Sequence, residues 1–264
     1  SNTLDEAVSE SEVYCSQMVR RKRGFPLYEP APQINLPAEY QKHGVSIGDV
    51  GSVTPEGIFD FFFNIFLPPE HPINGNRTPD DFSPIPPPES VDISHLTYGL
   101  GTYVSSPAVR KLDFDAPSKR RFCFRCNASQ GAVLALPDGG HLQKLRNVEN
   151  MRAYAAEHAD SWYRYINGAR GRGLANGDLY LVTGCEKARS WGMASYHTVF
   201  EEFDLTFKPS DRNSRPYRWS GAHARQNPAE RKSYHPPLTS AHVNQTTFIH
   251  GWSISLPTGL WGRL

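Results

Sequence analysis

What this chain lacks narrows it before anything it contains. Four cysteines in 264 residues are too few for a disulfide scaffold, so the fold must rest on a buried apolar core. Nothing approaches the roughly twenty apolar residues of a membrane-spanning helix: the longest run, 58–67 (IFDFFFNIFL), is ten residues and is broken by Asp60 and Asn64. A dominant charge is missing too. With 28 Lys and Arg against 27 Asp and Glu the net charge is +1, which gives no global field to draw the chain onto nucleic acid or an anionic membrane. The first thirty residues show no apolar secretory segment; with reduced cysteines this predicts a cytoplasmic protein. The signatures GxxxxGK[ST], strand-borne GxGxxG, HExxH and GxSxG, and the kinase set, are all absent, and neither a cofactor nor a metal is predicted. Cys123 and Cys126 stand three apart on an expected strand, on opposite faces, which opposes joint metal ligation.

What is present suits a folded domain: 38% hydrophobic and 12% aromatic residues supply a core. Residues 1–24 read as an N-terminal helix, strongest over 3–23, where Thr3 and Glu6 fit a capping box. Basic Arg20, Arg21, Lys22 and Arg23 crowd its last turn, as the helix dipole favours; the same four would serve as a nuclear-import signal. The remainder, 25–257, reads as one domain followed by a tail, 258–264. Within it 25–44 is extended, and 46–54 and 58–67 form a hairpin about a Thr54-Pro55-Glu56-Gly57 turn. Residues 68–90 hold eight prolines and predict a long mobile loop. Strands follow at 91–104, 120–127 and 131–137, then a helix over 147–166 whose Val148, Met151, Ala155, Ala159, Trp162 and Ile166 recur at helical spacing. Asn167-Gly168 would close it as a left-handed cap. Later strands fall at 179–183, 203–207 and 246–256, with 209–240 irregular apart from a short strand near 217–224. About nine strands and two main helices, without regular βαβ alternation, predict an α+β fold in which helices pack on an antiparallel sheet or sandwich.

Residues 158–192 hold the densest mix of arginine, glycine and aromatic residues, and functional interest centres there. The loop GARGRGLANG offers Arg170 and Arg172, whose forked donors suit carboxylate or phosphate. Trp162, Tyr165 and Trp191 flank it for stacking, Asn167 and Asn176 would shape it, and Lys187 would close one side. This predicts a binding or interaction module whose partner is a protein or an anionic, nucleotide-like small molecule. The alternative is an enzyme acting on a phosphorylated or nucleotide-like substrate, with His158 or His141 as acid or base. Weaker pairings are Asp113 with Asp115 on one strand face, and Cys185 with His197 if the fold joins them. A third reading, a defence protein that perforates membranes, requires the even face of the Phe-rich hairpin, including Phe62 and Phe66, to meet lipid.

The segments SWYRYINGARGRGLANGDLYLVTGCEKARSWGMASY, GVSIGDVGSVTPEGIFDFFFNIF, RGFPLYEP and NQTTFIHGWSISL together resemble a family of uncharacterised proteins from mushroom-forming (basidiomycete) fungi, carrying the motif WYRYINGxRGRGLANGxLYLVTGCEKxxSWG. The similarity runs over residues 20–257. It implies an intracellular protein, some members being neighbours of fungal signalling or defence domains, and it assigns no reaction, cofactor or catalytic residue.

Overall fold

The computed structural model describes residues 8–112, 120–210, 217–220, 229–237 and 240–262. In chain order come helix α1 (Glu10–Val19), strand β1 (Phe25–Pro26), helix α2 (Ala38–His43), and strands β2 (Asp49–Val53), β3 (Phe59–Asn64), β4 (Ile93–Tyr98), β5 (Thr102–Ser105), β6 (Val109–Lys111), β7 (Phe122–Cys126), β8 (Gly131–Leu136) and β9 (Gly140–Leu145). Helix α3 (Glu149–Asn167) follows, then β10 (Leu179–Ala188), β11 (Trp191–Tyr196), β12 (Phe203–Pro209), β13 (Tyr217–Ser220), β14 (Glu230–Tyr234), β15 (Gln245–Ile254) and the short α4 (Thr258–Trp261). The fold is α+β, as expected, with antiparallel pairing between all its strands. The described residues hold fifteen strands rather than about nine, because 91–104 divides in two and several short or uniformly buried strands, such as β11 and β14, carry no alternation to betray them.

Three sheets result, and β10 is the hub of the largest. Along one edge it pairs with β15; along the other it pairs first with β2 and then with β9, which in turn pairs with β4. The second sheet runs β14-β11-β8-β5 and the third β13-β12-β7-β6. These two face each other across Phe122, Phe124, Cys126, Val133, Ala135, Tyr196, Leu205 and Phe207. Tyr14 and Met18 of α1 pack on the opposite face of the second sheet, with Leu134, Met193 and Phe248. α3 covers one face of the large sheet through Met151, Ala155, Ala159, Trp162 and Ile166, the stripe its spacing predicted. Leu27, Tyr40 and Val45 cover the other face, against Phe59, Phe61, Val182 and Ile249. Each such large apolar side chain contributes about 1.5–3 kcal/mol by leaving water.

The Phe-rich hairpin is built differently from a simple two-faced strand. Val50 pairs with Phe63 and Gly51 with Phe61, so Phe62 is an inserted residue. A bulge breaks alternation: Phe59 and Phe61 enter one core, Phe62, Phe63 and Ile65 the other. Phe62 is therefore 1% exposed and Phe66 is partly buried against the same core. Both faces of this hairpin are already covered, which removes the lipid-facing surface the perforation reading needs.

Other expectations are corrected locally. The 68–90 segment lacks regular structure until the short turn at Ser90–Asp92, but it is tied down. Asn74, fully buried, accepts from Asn64 N and donates to the carbonyls of Asn64, Leu67 and Pro68, while Phe82 and Ile85 pack on the core. Gly168, the C-cap of α3, has φ −82°, not a left-handed value, and glycine is needed there because a side chain would meet Arg164 O at 2.6 Å. Positive φ appears instead at Gly171, Gly173 and Gly177. α1 starts at a Ser9/Glu12 capping box, whereas Thr3 and Glu6 lie outside the described residues.

The basic run after α1 lies beyond the helix rather than in its last turn. Arg20, Arg21 and Lys22 are exposed, but Arg23 turns inward. Its guanidinium bonds both oxygens of Glu186 at 2.6 and 3.1 Å and lies 4.0 Å from the centre of the Tyr98 ring. Only the first three are thus free for a nuclear-import receptor. The Glu186 side chain is 1% exposed; burial pushes its carboxyl upward and Arg23 pulls it back. Arg23→Met should therefore destabilise the fold by about 3 kcal/mol in chemical denaturation, the low end for stranding a buried charge, since the carboxylate can take up a proton. Restoring the loss with Glu186→Gln in the same chain would confirm the cause, and an unchanged midpoint in the single variant would refute it.

Candidate ligand-binding cleft

The division of one edge of β10 between two partners opens a cleft. β2 leaves β10 at Leu181, β9 joins at Gly184, and the register of β10 against β15 shifts between Val182 and Gly184. Gly184 is required by the close approach of β9: an added side chain would meet Gln143 O at 2.7 Å. Beyond this point Cys185 and Lys187 lie two apart and share a face, with Gln143 opposite Cys185 and His141 opposite Lys187. β4 continues the patch, placing His95 opposite Gln143 and Thr97 opposite His141. Opposed residues of an antiparallel pair project to the same side, so six polar or thiol side chains form one surface.

His43 and Ser46, from the end of α2 and the turn into β2, wall the other side, with Val243. The cleft, open on one side, has a volume of about 380 Å³, within the range of small-molecule sites. Lys187 Nζ donates to His43 O at 2.5 Å. Both nitrogens of His141 are engaged, Nε2 with His95 Nδ1 at 3.1 Å and Nδ1 with Thr97 Oγ1 at 3.3 Å. Burial, then His95 and Lys187, hold the His141 imidazole below its ordinary range, so it is uncharged at neutral pH. Burial pushes the Cys185 thiol up despite Lys187, so the sulfur stays protonated and is no activated nucleophile.

Beneath the cleft lies Asp49, 1% exposed. It accepts from Tyr40 Oη (3.0 Å), Ser46 N (2.8 Å) and Asn64 Nδ2 (2.8 Å). Burial drives its carboxyl up to about 7 against the pull of those bonds and of Lys187. None of the seven lining residues is a carboxylate. Lys187 supplies a positive charge, while Ser46, Gln143 and the imidazoles can each donate or accept, a lining able to receive a small anionic molecule. Among the described residues no group of three or more His, Cys, Asp or Glu could hold a metal.

Of the residues singled out from sequence, the structure brings His141, Cys185 and Lys187 together in the cleft and places the others elsewhere. Trp162 is 1% exposed, edge-on to Phe63 at 5.6 Å in the core under α3. Trp191 is 4% exposed in a different core, stacked on Tyr234 and donating Nε1 to Gln245. Neither ring faces a ligand, because each is packed between secondary-structure layers. Tyr165 is half-buried beside Phe63. Asn167 and Asn176 do shape the loop, but as amide clamps: Asn167 on Leu174 N and O, Asn176 on Leu256 N and O. Arg172 pairs with Asp60 at 3.1 Å, and Arg170 Nη1 is buried without a hydrogen-bond partner among the described residues. The carboxylate that answers this loop therefore comes from β3 rather than from a ligand. His158 lies tilted against Tyr154, ring centres 4.4 Å apart, and Asp160 bonds Arg164 rather than His158. His197, beyond the end of β11, bonds Thr198 and does not line the cleft with Cys185. Asp113 and Asp115 lie outside the described residues.

His43, Ser46, Gln143, Val243, His95 and Asp49 escaped the sequence reading. The one local signal was GHLQKL (140–145), where His141 and Gln143 alternate with Leu142 and Lys144 as a strand would place them. No helix among the described residues is long and apolar enough to cross a membrane. The class these features define is an α+β protein with a polar cleft at a sheet fork; neither protein-family models nor curated proteins give a match to the chain.

Proposed function

We propose that this protein binds a small anionic molecule in the cleft between β9, β10 and the α2–β2 turn. The observation that carries the reading is the Lys187 ammonium in a polar lining without carboxylates, at a volume suited to a small molecule. Lys187 meets the negative group, Ser46 and Gln143 orient it, and Asp49 with Tyr40 fixes the turn that carries Ser46. The recognition surface expected within 158–192 is thereby reduced to Cys185 and Lys187, and the arginine loop becomes scaffold.

A thermal-shift and calorimetric screen of nucleoside monophosphates, sugar phosphates and dicarboxylates tests this. A binder at a hundred times its dissociation constant stabilises by about 2.7 kcal/mol, and Lys187→Met should weaken it on the order of 10-fold or more, the worth of one charged hydrogen bond. Equal binding by wild type and Lys187→Met, or no anionic binder, would remove the reading. The uncharged His141, held by His95 and Thr97, favours a second reading: an enzyme using His141 as base on that anionic substrate. That reading requires turnover that His141→Asn abolishes while binding persists.

A further inference from the structure

Residues 93–109 contain no Asp, Glu, Lys or Arg, and the first part of this run forms a free edge. Among the described residues β4 pairs only with β9, and β5 only with β8. The pairings Tyr98 with Gly140 and Thr102 with Leu136 keep one register, so β4 and β5 are a single edge strand that bends at 99–101 between the large sheet and the second. Folded proteins guard such an edge with charged side chains, prolines or bulges, because its unpaired main-chain groups accept another strand. β4 (ISHLTY) has none of these and pairs with β9 in unbroken register. Leu96, Leu100 and Tyr103 are exposed along the edge.

Arg146 N donates to Asp92 O at 2.8 Å. Bonded positions alternate along an antiparallel pair, so Asp92, Ser94, Leu96 and Tyr98 turn their main-chain groups to β9, and Ile93, His95 and Thr97 turn theirs outward. Ile93 N–H is taken by Ser90 O. The main-chain N–H and C=O of His95 and Thr97 are left without a partner among the described residues, and both residues are exposed.

A second copy of the chain matches this pattern. A two-fold axis normal to the sheet opposes only residues that project to the same face. With the axis at Leu96, His95 of each copy opposes Thr97 of the other, and every free group of both residues gains a partner. With the axis at His95, Thr97 would meet Ile93, whose N–H is taken; with the axis at Thr97, His95 would meet Gly99, whose C=O already accepts from Thr102 N and Oγ1. The Leu96 axis also sets Leu96 against its own copy, in a non-bonded pair where side chains approach most closely. No charged residue of either edge strand opposes its like, because the strands carry none. The chain before the strand, with Glu89 and Asp92, runs toward β5 of the other copy, where Lys111 Nζ lies 5.3 Å from the Tyr103 ring centre. Acidic and basic residues therefore approach each other at both ends. We propose that two copies of this chain associate through the free edge of β4, antiparallel and centred on Leu96, so that their large sheets run on as one.

Sedimentation equilibrium and amide exchange of the whole chain over a concentration series test this. The mass should rise from 29.6 kDa toward twice that value, and the His95 and Thr97 amides should become protected in step with it. Leu96→Lys sets two ammonium groups face to face at an exposed position, so the fold is kept while association should weaken on the order of 10-fold or more. Phe200→Lys, at a residue more exposed than Leu96 on the β11–β12 connection, should leave association unchanged, which separates edge pairing from general apolar adhesion. The proposal is overturned by a mass that stays at 29.6 kDa, which leaves the edge to a strand of another protein. It is equally overturned by a dimer whose His95 and Thr97 amides stay open, or by Leu96→Lys associating like wild type.

Discussion

Trp162→Ala should cost about 3–5 kcal/mol of folding stability, the range for deleting a buried indole and leaving a cavity. Trp162 is 1% exposed and sits between Phe63 at 5.6 Å and Tyr154 at 5.7 Å, where α3 meets β3 and β10. The helix lies across a stiff sheet, so the walls of the hole have little freedom to collapse. Urea unfolding measures the loss through the midpoint at constant slope. Trp162→Phe should recover part of it by keeping an aromatic face toward Phe63. A near-neutral Trp162→Ala would return the residue to the role its sequence context suggested, a ring held out for stacking. Arg172→Ala is the contrast: in its pair with Asp60 the arginine is 40% and the aspartate 16% exposed, so the loss should stay near the upper end of the roughly 0–1 kcal/mol of surface pairs.

The second large effect is pH dependent. Asp49 has its carboxyl driven from 3.8 to about 7 on folding, so the native state binds a proton that the unfolded chain releases. Stability from this group is complete below about pH 4 and is lost as pH rises toward 7, a swing of about 4 kcal/mol. Asp49→Asn should abolish this part of the slope. It should also lower stability in acid, because the amide nitrogen it introduces must face one of two donors, Asn64 Nδ2 or Ser46 N. Denaturant-derived stabilities of both proteins from pH 4 to 8 supply the difference curve; parallel curves would show that Asp49 keeps an ordinary acidity. The same titration reaches the cleft. As Asp49 takes up its proton, the field of Lys187 is less compensated, and anion binding should tighten as pH falls through about 7.

The fold class was legible because its signals are local. The stripe Met151, Ala155, Ala159, Trp162, Ile166 marks α3 within one window, and the Thr54–Gly57 turn marks its hairpin, with Gly57 N bonded to Thr54 O at 2.8 Å and φ +77°. Ser9 and Glu12, which cap α1, satisfy the same short pattern as Thr3 and Glu6, so the pattern alone did not single out Ser9. The bulge at Phe62 was not legible: two neighbouring phenylalanines fit either face until β2 fixes the register.

Composition and periodicity by themselves determined that the chain folds around an apolar core, joins helices to antiparallel strands, carries no disulfide framework and has no apolar run able to form a membrane-spanning helix. Those properties follow from residues adjacent in sequence, each acting through its own backbone and its near neighbours. Only the tertiary structure decided which polar side chains meet. His141 faces Lys187 because β9 pairs with β10, and Ser190 faces Asp138 because two strand ends share a rim. Such encounters depend on strand register, set by the burial of side chains far away in the chain, so no local pattern records them. The arginine loop shows the converse: its motif was conspicuous, but its Arg172 is already paired with Asp60, more than a hundred residues earlier.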